Sequence, residues 1–395
     1  MRKYFARTFS RLSLRSANGT WFALALLLSS FAFSGCVNNL TSNPIPSLKG
    51  ETAKPSGVIY VVNEGEDSIS VIDVASQKVV AGVPVGQFPH YVAVAPDGKR
   101  AYVTNGESAD ISIIDTATHK IIGTIPAGKD PQGISIRPDG RFAYVANFDS
   151  NDVSVIDLGA NKAVETIKVG TAPQGIAISP DGKRVYVANL RSGEISVVNT
   201  ATNRIESSIP AGTGPAGIGV SPDGKYLYVG GHGQMSGMPG SSGSGGAPIQ
   251  GKGMMGSTPT PGRDMGASDQ GSMGGKNKDM RIIDISTQQV AGMITCGVMP
   301  IAVVSSGNGG RVYVVSHGSD EVSVIDTATR KVTATVTVGK NPNGIALSPD
   351  GRFAYVSNKD TNDVSVIDLS SNSVVANAAV GKGPRGLAYV NAKSQ

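Results

Sequence analysis

The sequence predicts an all-β fold, a single seven-bladed β-propeller built from four-stranded antiparallel blades. A Tyr-Val pair recurs seven times, and it begins at Tyr60, Tyr102, Tyr144, Tyr186, Tyr228, Tyr313 and Tyr355. The steps between pairs are 42 residues except for one of 85, which equals one repeat plus an insertion of about 43 residues. A period near 40 residues with short β-rich runs is typical of propeller blades.

Each repeat carries the residues of four strands and three turns. The unit at 173–209 contains four short runs rich in β-branched residues, which favour strands. Asp-Gly or Asn-Gly pairs supply residues that tolerate positive φ in a tight turn, at 97–98, 139–140, 181–182, 223–224, 308–309 and 350–351. A second turn of the Thr-Ala-Thr type stands at 116–118, 200–202 and 327–329.

The two ends of the repeat region complement each other. The chain enters the first unit at its second strand, near Val58, and it ends with an orphan first strand at 386–390. Because a blade buries its apolar faces only against neighbouring blades, the ring must close to be stable. We therefore expect the C-terminal strand to complete the first blade of a propeller spanning 56–391.

The repeat resembles the YVTN-repeat family of β-propellers. Residues 102–105 read Tyr-Val-Thr-Asn, and the Ser-Pro-Asp-Gly-Lys run at 179–183 and the Ile-Ser-Val-Ile-Asp run at 69–73 also match the family over 57–391. The resemblance implies an exported propeller similar to the YncE-like type and a role as a binding scaffold. A shared fold says little about the ligand, since one fold hosts many functions.

The first 36 residues have the pattern of an export signal. They hold five basic residues and no acidic one, followed by an apolar stretch at 21–33 that is shorter than the roughly 20 residues of a membrane-spanning helix. Phe33-Ser-Gly-Cys36 resembles a bacterial lipobox. We expect lipidation at Cys36, a flexible tether at 37–55, and anchorage to a membrane in the periplasm or on the cell surface.

The net charge of +5 belongs to the signal. Beyond residue 36 the basic and acidic residues balance, with 30 of each. A nucleic-acid-binding surface would need a surplus of Lys and Arg to neutralise phosphates. The sequence therefore predicts a monomer that binds a protein or polysaccharide of the cell envelope, without nucleic acid and with membrane contact only through the lipid.

Polar residues are predicted at the mouth of the central channel. The residue after the Pro that opens each innermost strand is expected there, and in chain order it is His90, Gln132, Gln174, Ala216, Ile301, Asn343 and Arg385. Its polar members, His90, Gln132, Gln174, Asn343 and Arg385, are candidates for orienting a small ligand by hydrogen bonds. The alternative is a solvated channel without a specific ligand.

A Gly- and Ser-rich insertion at 234–279 interrupts the fifth blade between its second and third strands, and its composition predicts disorder. Its methionines suggest a second function, since thioether sulfur selects Cu(I) and similar soft ions. The candidate ligands for copper or silver are Met235, Met238, Met254, Met255, His232, Cys296, Met299 and His317. The insertion is alternatively only a linker, and Cys296 a small buried hydrophobe.

The sequence contains none of the common catalytic motifs. It lacks a Gly-x-Ser-x-Gly elbow, a His-Glu-x-x-His helix, a Cys-x-x-Cys-His haem site and a phosphate-binding loop. We therefore predict an exported, lipid-anchored binding scaffold with no catalytic residues. A lactonase-like hydrolase is a further alternative, although the predicted channel ring lacks the acidic metal ligands that such propellers generally offer.

Overall fold

The computed structural model describes residues 56–233 and 278–391, and they form seven four-stranded antiparallel sheets, numbered here as blades 1 to 7. Blade 1 contains β1 (Gly57–Asn63), β2 (Ser68–Asp73), β3 (Lys78–Pro84) and β28 (Pro384–Asn391). Blade 2 contains β4 (Pro89–Val94), β5 (Arg100–Asn105), β6 (Asp110–Asp115) and β7 (Lys120–Pro126). Blade 3 contains β8 (Pro131–Ile136), β9 (Phe142–Asn147), β10 (Asp152–Asp157) and β11 (Lys162–Lys168). Together they confirm the predicted fold class.

The remaining blades repeat this order. Blade 4 contains β12 (Pro173–Ile178), β13 (Arg184–Asn189), β14 (Glu194–Asn199) and β15 (Arg204–Pro210). Blade 5 contains β16 (Pro215–Val220), β17 (Tyr226–Gly231), β18 (Asp279–Asp284) and β19 (Gln289–Thr295). Blade 6 contains β20 (Pro300–Ser305), β21 (Arg311–Ser316), β22 (Glu321–Asp326) and β23 (Lys331–Thr337). Blade 7 contains β24 (Pro342–Leu347), β25 (Phe353–Asn358), β26 (Asp363–Asp368) and β27 (Ser373–Ala379).

The C-terminal strand closes the ring as predicted. Strand β28 pairs antiparallel with β1, with Val58 opposite Val390 and Tyr60 opposite Ala388. The innermost strand of blade 1 therefore comes from the far end of the chain. β1 is therefore paired on both sides, by β28 and β2, and blade 1 has the same four-strand order as the other blades.

The core lies between neighbouring blades. The Tyr of each Tyr-Val pair is buried, and it packs with β-branched residues of its own blade and the next. Between blades 2 and 3, for example, Tyr102 and Ile113 are in one cluster with Val145 and Ile156. These contacts explain why the repeat keeps Val and Ile in its second and third strands.

The Asn that ends most Tyr-Val-x-Asn runs joins two strands. Its Nδ2 donates to a Ser hydroxyl in the adjacent third strand at 2.9 Å, in the pairs Asn63–Ser70, Asn105–Ser112, Asn147–Ser154, Asn189–Ser196 and Asn358–Ser365. The side chain thereby holds the ends of these two strands together.

The propeller presents two faces. The top face carries the loops between second and third strands and the connections into each innermost strand, and the turn face carries the Asp-Gly turns and the turns between third and fourth strands. β17 ends at Gly231 and β18 begins at Asp279, and both of these strand ends lie on the top face. The first residue of β18, Asp279, is also the last residue of the predicted insertion, 234–279. Within 56–233 and 278–391, no helix is long and apolar enough to cross a membrane.

Candidate functional site

Each innermost strand begins with a Pro and places the next residue at the channel mouth. His90, Gln132 and Asn343 are buried there, whereas Gln174 and Arg385 are partly exposed. The Oδ1 atom of Asn343 and the Oε1 atom of Gln174 are buried and accept no hydrogen bond from the part of the chain that is described.

His90 is the centre of a charged network that spans three blades. Its Nε2 lies 2.9 Å from Oδ1 of Asp130, and its Nδ1 lies 2.5 Å from Nη1 of Arg385 and 3.5 Å from Oε1 of Glu64. A guanidinium group only donates hydrogen bonds, so Nδ1 must accept from Arg385. In this arrangement the imidazole proton is on Nε2, which donates it to Asp130.

Glu64 is the buried anion of this network. It begins a single 3-10 turn, Glu64–Glu66, and it binds Arg385 through Oε1 at 2.5 Å and Lys359 through Oε2 at 2.7 Å. Burial alone would raise the pKa of Glu64, but the positive charges of Arg385 and Lys359 and the hydrogen bond from Lys359 outweigh burial and lower it from 4.5 to about 2. Glu64 is therefore a carboxylate at neutral pH.

Asp130 extends the network into blade 3. Its Oδ1 also accepts a hydrogen bond from Nε2 of Gln132 at 2.8 Å. Burial raises the pKa of Asp130, but the hydrogen bonds from His90 and Gln132 and the positive charge of Arg385 lower it further than burial raises it. Two of the predicted mouth residues, His90 and Gln132, thus bind the same carboxylate.

A small apolar cluster lies on the top face beside blades 3 to 5. Phe148 packs on a small cluster of Ala172, Leu190 and Ala216. The guanidinium of Arg191 lies 5.3 Å from the centroid of the Phe148 ring, a distance at which a cation is attracted to the face of the ring. The top face therefore combines a charged network with a small apolar cluster.

Phe88 is the most unusual residue of this face. Its side chain is 42 % exposed, and its φ of 56° is in the left-handed region, which is rare for a bulky residue. A backbone hydrogen bond to Oδ1 of Asp67, at 2.8 Å, and edge-to-face contact with His90, at 5.1 Å between centroids, hold it in place. The corresponding positions of other blades include Asp130, Ala172, Gly214, Met299, Asn341 and Gly383.

The channel below the mouth offers little room. A cavity of about 170 Å³ is walled by glycines and aliphatic residues of the innermost strands, among them Gly133, Ile176 and Gly217. Pockets for drug-sized ligands usually occupy about 300–1,000 Å³. The site is therefore a surface rather than a deep pocket.

Two imidazoles, His232 and His317, follow the second strands of blades 5 and 6 on the top face. Burial, with the nearby His317 and Arg385, lowers the pKa of His232 to about 4, and its buried Nδ1 has no hydrogen-bond partner within the described ranges. Burial also lowers the pKa of His317, whose Nδ1 lies 3.2 Å from the Pro342 carbonyl oxygen. The backbone N–H of His317 donates to the Met299 carbonyl oxygen.

Cys296 is apart from these groups. It belongs to the core cluster of blades 5 and 6 with Met280 and Ile294, and burial raises its thiol pKa to about 12. Of the other predicted metal ligands, Met235, Met238, Met254 and Met255 lie outside the described residues, as does the lipidation site Cys36. Considering only 56–233 and 278–391, no cluster of three or more His, Cys, Asp or Glu side chains is placed to hold a metal ion.

Several residues of the site were not predicted from the sequence. Glu64 and Lys359 follow the Asn of the Tyr-Val-x-Asn run, and Asp130 and Phe88 precede the Pro of an innermost strand. A comparison of the repeats at the first of these positions would have indicated the site, because only His occurs there twice: Glu64, Gly106, Phe148, Leu190, His232, His317 and Lys359.

Fold and site together define a seven-bladed β-propeller with a charge-paired channel mouth on one face. Residues 55–205 match the family model "Lactonase, 7-bladed beta-propeller", and residues 273–390 match "Cytochrome D1 heme domain". No curated protein matches the chain.

Three solved structures resemble the chain. Hydrazine synthase of Kuenenia stuttgartiensis has 24 % identity and a TM-score of 0.66, and the alignment covers 83 % of this chain and 99 % of that one. A functionally unknown protein from Desulfotomaculum acetoxidans has 16 % identity, a TM-score of 0.66, and coverage of 85 % and 99 %. The dihydro-heme d1 dehydrogenase NirN has 15 % identity, a TM-score of 0.58, and coverage of 89 % and 79 %. At these identities the likeness establishes the fold alone.

Proposed function

We propose that this chain is an exported binding propeller of the YVTN-repeat, YncE-like type that recognises a protein of the cell envelope through its top face. In this proposal Cys36 carries the lipid and residues 37–55 act as the tether. The export signal and the lipobox-like residues 33–36 support this part of the proposal.

Phe88 is the observation that carries the proposal. An aromatic side chain that is 42 % exposed at a left-handed φ costs stability, because Asn or Asp would adopt that backbone with less strain. Such costs are typical of functional sites. Aromatic and Arg side chains are also the residue types that dominate binding energy in protein interfaces, and Phe148 and Arg191 lie on the same face.

The role we propose is binding without turnover. The charged groups at the mouth are paired with one another, so that Glu64, Arg385 and Asp130 already have partners. A fixed and mutually neutralised network suits electrostatic matching to a partner, which contributes specificity and a faster association rate. The narrow channel, with its cavity of about 170 Å³, favours a partner that lies across the mouth.

Quantitative capture of envelope proteins tests this proposal. The wild type and Phe88→Asn are immobilised at equal density, with Ile122→Asn, a 53 % exposed residue on the outer strand of blade 2, as the matched control. Asn is already present at the position equivalent to 88 in blade 7, as Asn341. A protein retained by wild type and I122N but reduced at least about tenfold by F88N supports the proposal. Equal retention by all three, or capture of polysaccharide only, would contradict it.

Soft-metal capture is a second candidate, favoured by the buried Nδ1 atom of His232, which has no hydrogen-bond partner among the described residues. An imidazole whose pKa is about 4 is neutral at pH 7, as a metal ligand must be. Anaerobic Cu(I) titration with a competing chelator tests this candidate, with wild type, a variant lacking 234–277, and His232→Leu, which copies Leu190 of blade 4. Defined stoichiometric uptake that both changes weaken supports it, and equal uptake by the three proteins contradicts it.

A further inference from the structure

A second cavity lies on the turn face, away from the charged network. It has a volume of about 410 Å³ and is enclosed between the turns of blades 5 and 6. Tyr226, Tyr228 and Ile282 line it from blade 5, and Asn308, Thr327 and Arg330 line it from blade 6. This volume is in the range of sites that hold small organic molecules.

One residue position explains why the cavity forms between these two blades. At the position of Thr327, which follows the third strand, four blades have a larger aliphatic residue that packs between blades: Val74, Leu158, Ile285 and Leu369. The smaller Thr leaves this space unfilled, and its Oγ1 donates to the Gly309 carbonyl oxygen at 2.7 Å.

The other two blades with Thr at this position fill the space differently. Beside Thr116, the hydroxyl of Tyr60 and Nδ1 of His119 are hydrogen-bonded at 2.6 Å. Beside Thr200, the hydroxyl of Tyr144 donates a hydrogen bond to Oδ1 of Asn203 at 3.0 Å. Between blades 5 and 6 the corresponding pair is Tyr228 and Arg330. The hydroxyl of Tyr228 makes no hydrogen bond to the described part of the chain.

Arg330 is turned toward blade 5 instead. Its Nη1 donates to the Ala291 carbonyl oxygen at 2.6 Å, and its Cζ lies 5.5 Å from the centroid of the Tyr226 ring. Within the described residues it forms no ion pair with a carboxylate. Among the described residues, the cavity thus has a cation without an ion-pair partner at its rim and a phenol hydroxyl without a hydrogen-bond partner, and Ile282, Ile294 and Ile325 form the apolar part of its wall.

We propose that this cavity binds a small organic carboxylate with an apolar or aromatic body. The carboxylate would accept hydrogen bonds from Arg330 and from the hydroxyl of Tyr228, because a guanidinium binds carboxylates with strong charge-assisted bonds. The body would pack against Ile282 and the other apolar walls. Asp223 also lines the cavity, but it forms no ion pair with Arg330 in the described structure, since its carboxylate accepts a hydrogen bond from the Ser221 hydroxyl and pairs with Lys225.

Ligand-observed NMR with 3-phenylpropionate, and with its uncharged amide as the matched control, tests this site. The wild type should bind the carboxylate about tenfold or more tightly than the amide, the ratio expected for one charge-assisted pair. Arg330→Asn copies Asn161, Asn203 and Asn372 of other blades, and it should bring this ratio close to one.

Filling the cavity gives an independent test. Leu158 and Leu369 occupy the position of Thr327 in blades 3 and 7, so the fold tolerates Leu at this turn. Thr327→Leu should therefore fill the cavity and abolish binding of both probes. Thr200→Leu is the control, since it removes the same type of hydrogen bond, from Oγ1 to the Gly182 carbonyl oxygen, at another blade interface. T200L should bind like wild type. The proposal is overturned if wild type binds neither probe, prefers the amide, or is matched in affinity by T327L.

Discussion

Glu64 accepts a hydrogen bond from Arg385, which follows it by 321 residues in the chain. Glu64 is in the loop after β1, and Arg385 is in β28, the strand that pairs with β1. The ion pair that organises the channel mouth therefore also ties the two ends of the propeller together. Glu64 and Arg385 therefore contribute both to ring closure and to the charged network of the top face.

Replacing Glu64 should destabilise the protein in a pH-dependent way. The fall in its pKa from 4.5 to about 2 corresponds to about 3 kcal/mol of stability at neutral pH. Because the folded-state pKa is the lower one, this stability is complete above pH 4.5, declines below it and is lost as the pH falls through about 2. Denaturant unfolding of wild type and Glu64→Gln from pH 7 to 3 measures the difference.

The matched control is Glu66→Gln, an exposed residue of the same 3-10 turn. E66Q should change the free energy of unfolding by less than about 0.5 kcal/mol at every pH. A difference between wild type and E64Q that does not shrink toward pH 3 would show that the stability does not come from the ionised carboxylate.

Removing a strand-joining Asn should cost about 1–3 kcal/mol. Asn147 donates from Nδ2 to Asp152 at 2.8 Å and to Ser154 at 2.9 Å, and all three residues are buried. Asn147→Ser copies Ser316 of blade 6 but leaves the other two groups with fewer partners. Urea unfolding midpoints measure the loss, and a change below about 0.5 kcal/mol would contradict the structural role of the Asn.

The thiol of Cys296 should be almost inert in the folded protein. With its pKa raised to about 12, the thiolate that reacts with disulfide reagents is scarce at pH 8. In a variant with Cys36→Ser, labelling by a chromogenic disulfide should be at least about a hundredfold slower in buffer than in denaturant. Equally fast labelling in both conditions would place the thiol in solvent.

Phe88→Asn should stabilise the protein while it removes binding. A bulky residue at a left-handed φ costs about 1–2 kcal/mol, and Asn adopts this backbone more readily. The expected rise in the free energy of unfolding is about 1 kcal/mol, measured by urea unfolding. A loss of stability instead would mean that Phe88 supports the fold, and its exposure would then no longer argue for a binding role.

The sequence was sufficient for the fold because every blade repeats the same requirements. The Tyr-Val spacing located the second strands, the Asp-Gly pairs located the turns, and the orphan strand at 386–390 predicted the pairing of β28 with β1. These features depend on local backbone conformation and on packing against the next blade. The residue types that each of them requires recur in every repeat.

The site was only partly predictable. His90 and Arg385 could be placed at the mouth, since both follow the Pro of an innermost strand. Their partners are Glu64 and Asp130, and Lys359 pairs in turn with Glu64. These three residues come from two other positions in the repeat, and their approach depends on the radial geometry of the ring. For Cys296 the sequence left both a metal-ligand and a buried role open, and the structure places it in the core.

Photo-crosslinking from position 88 tests whether the protein recognises an envelope protein through its top face. A photoreactive phenylalanine analogue is placed at position 88 of the full-length chain in its native host, and in a parallel strain at position 122 on the outer strand of blade 2. We expect one envelope protein to be crosslinked from position 88 and not from position 122. Crosslinks from neither position, or the same products from both, would contradict recognition through the top face.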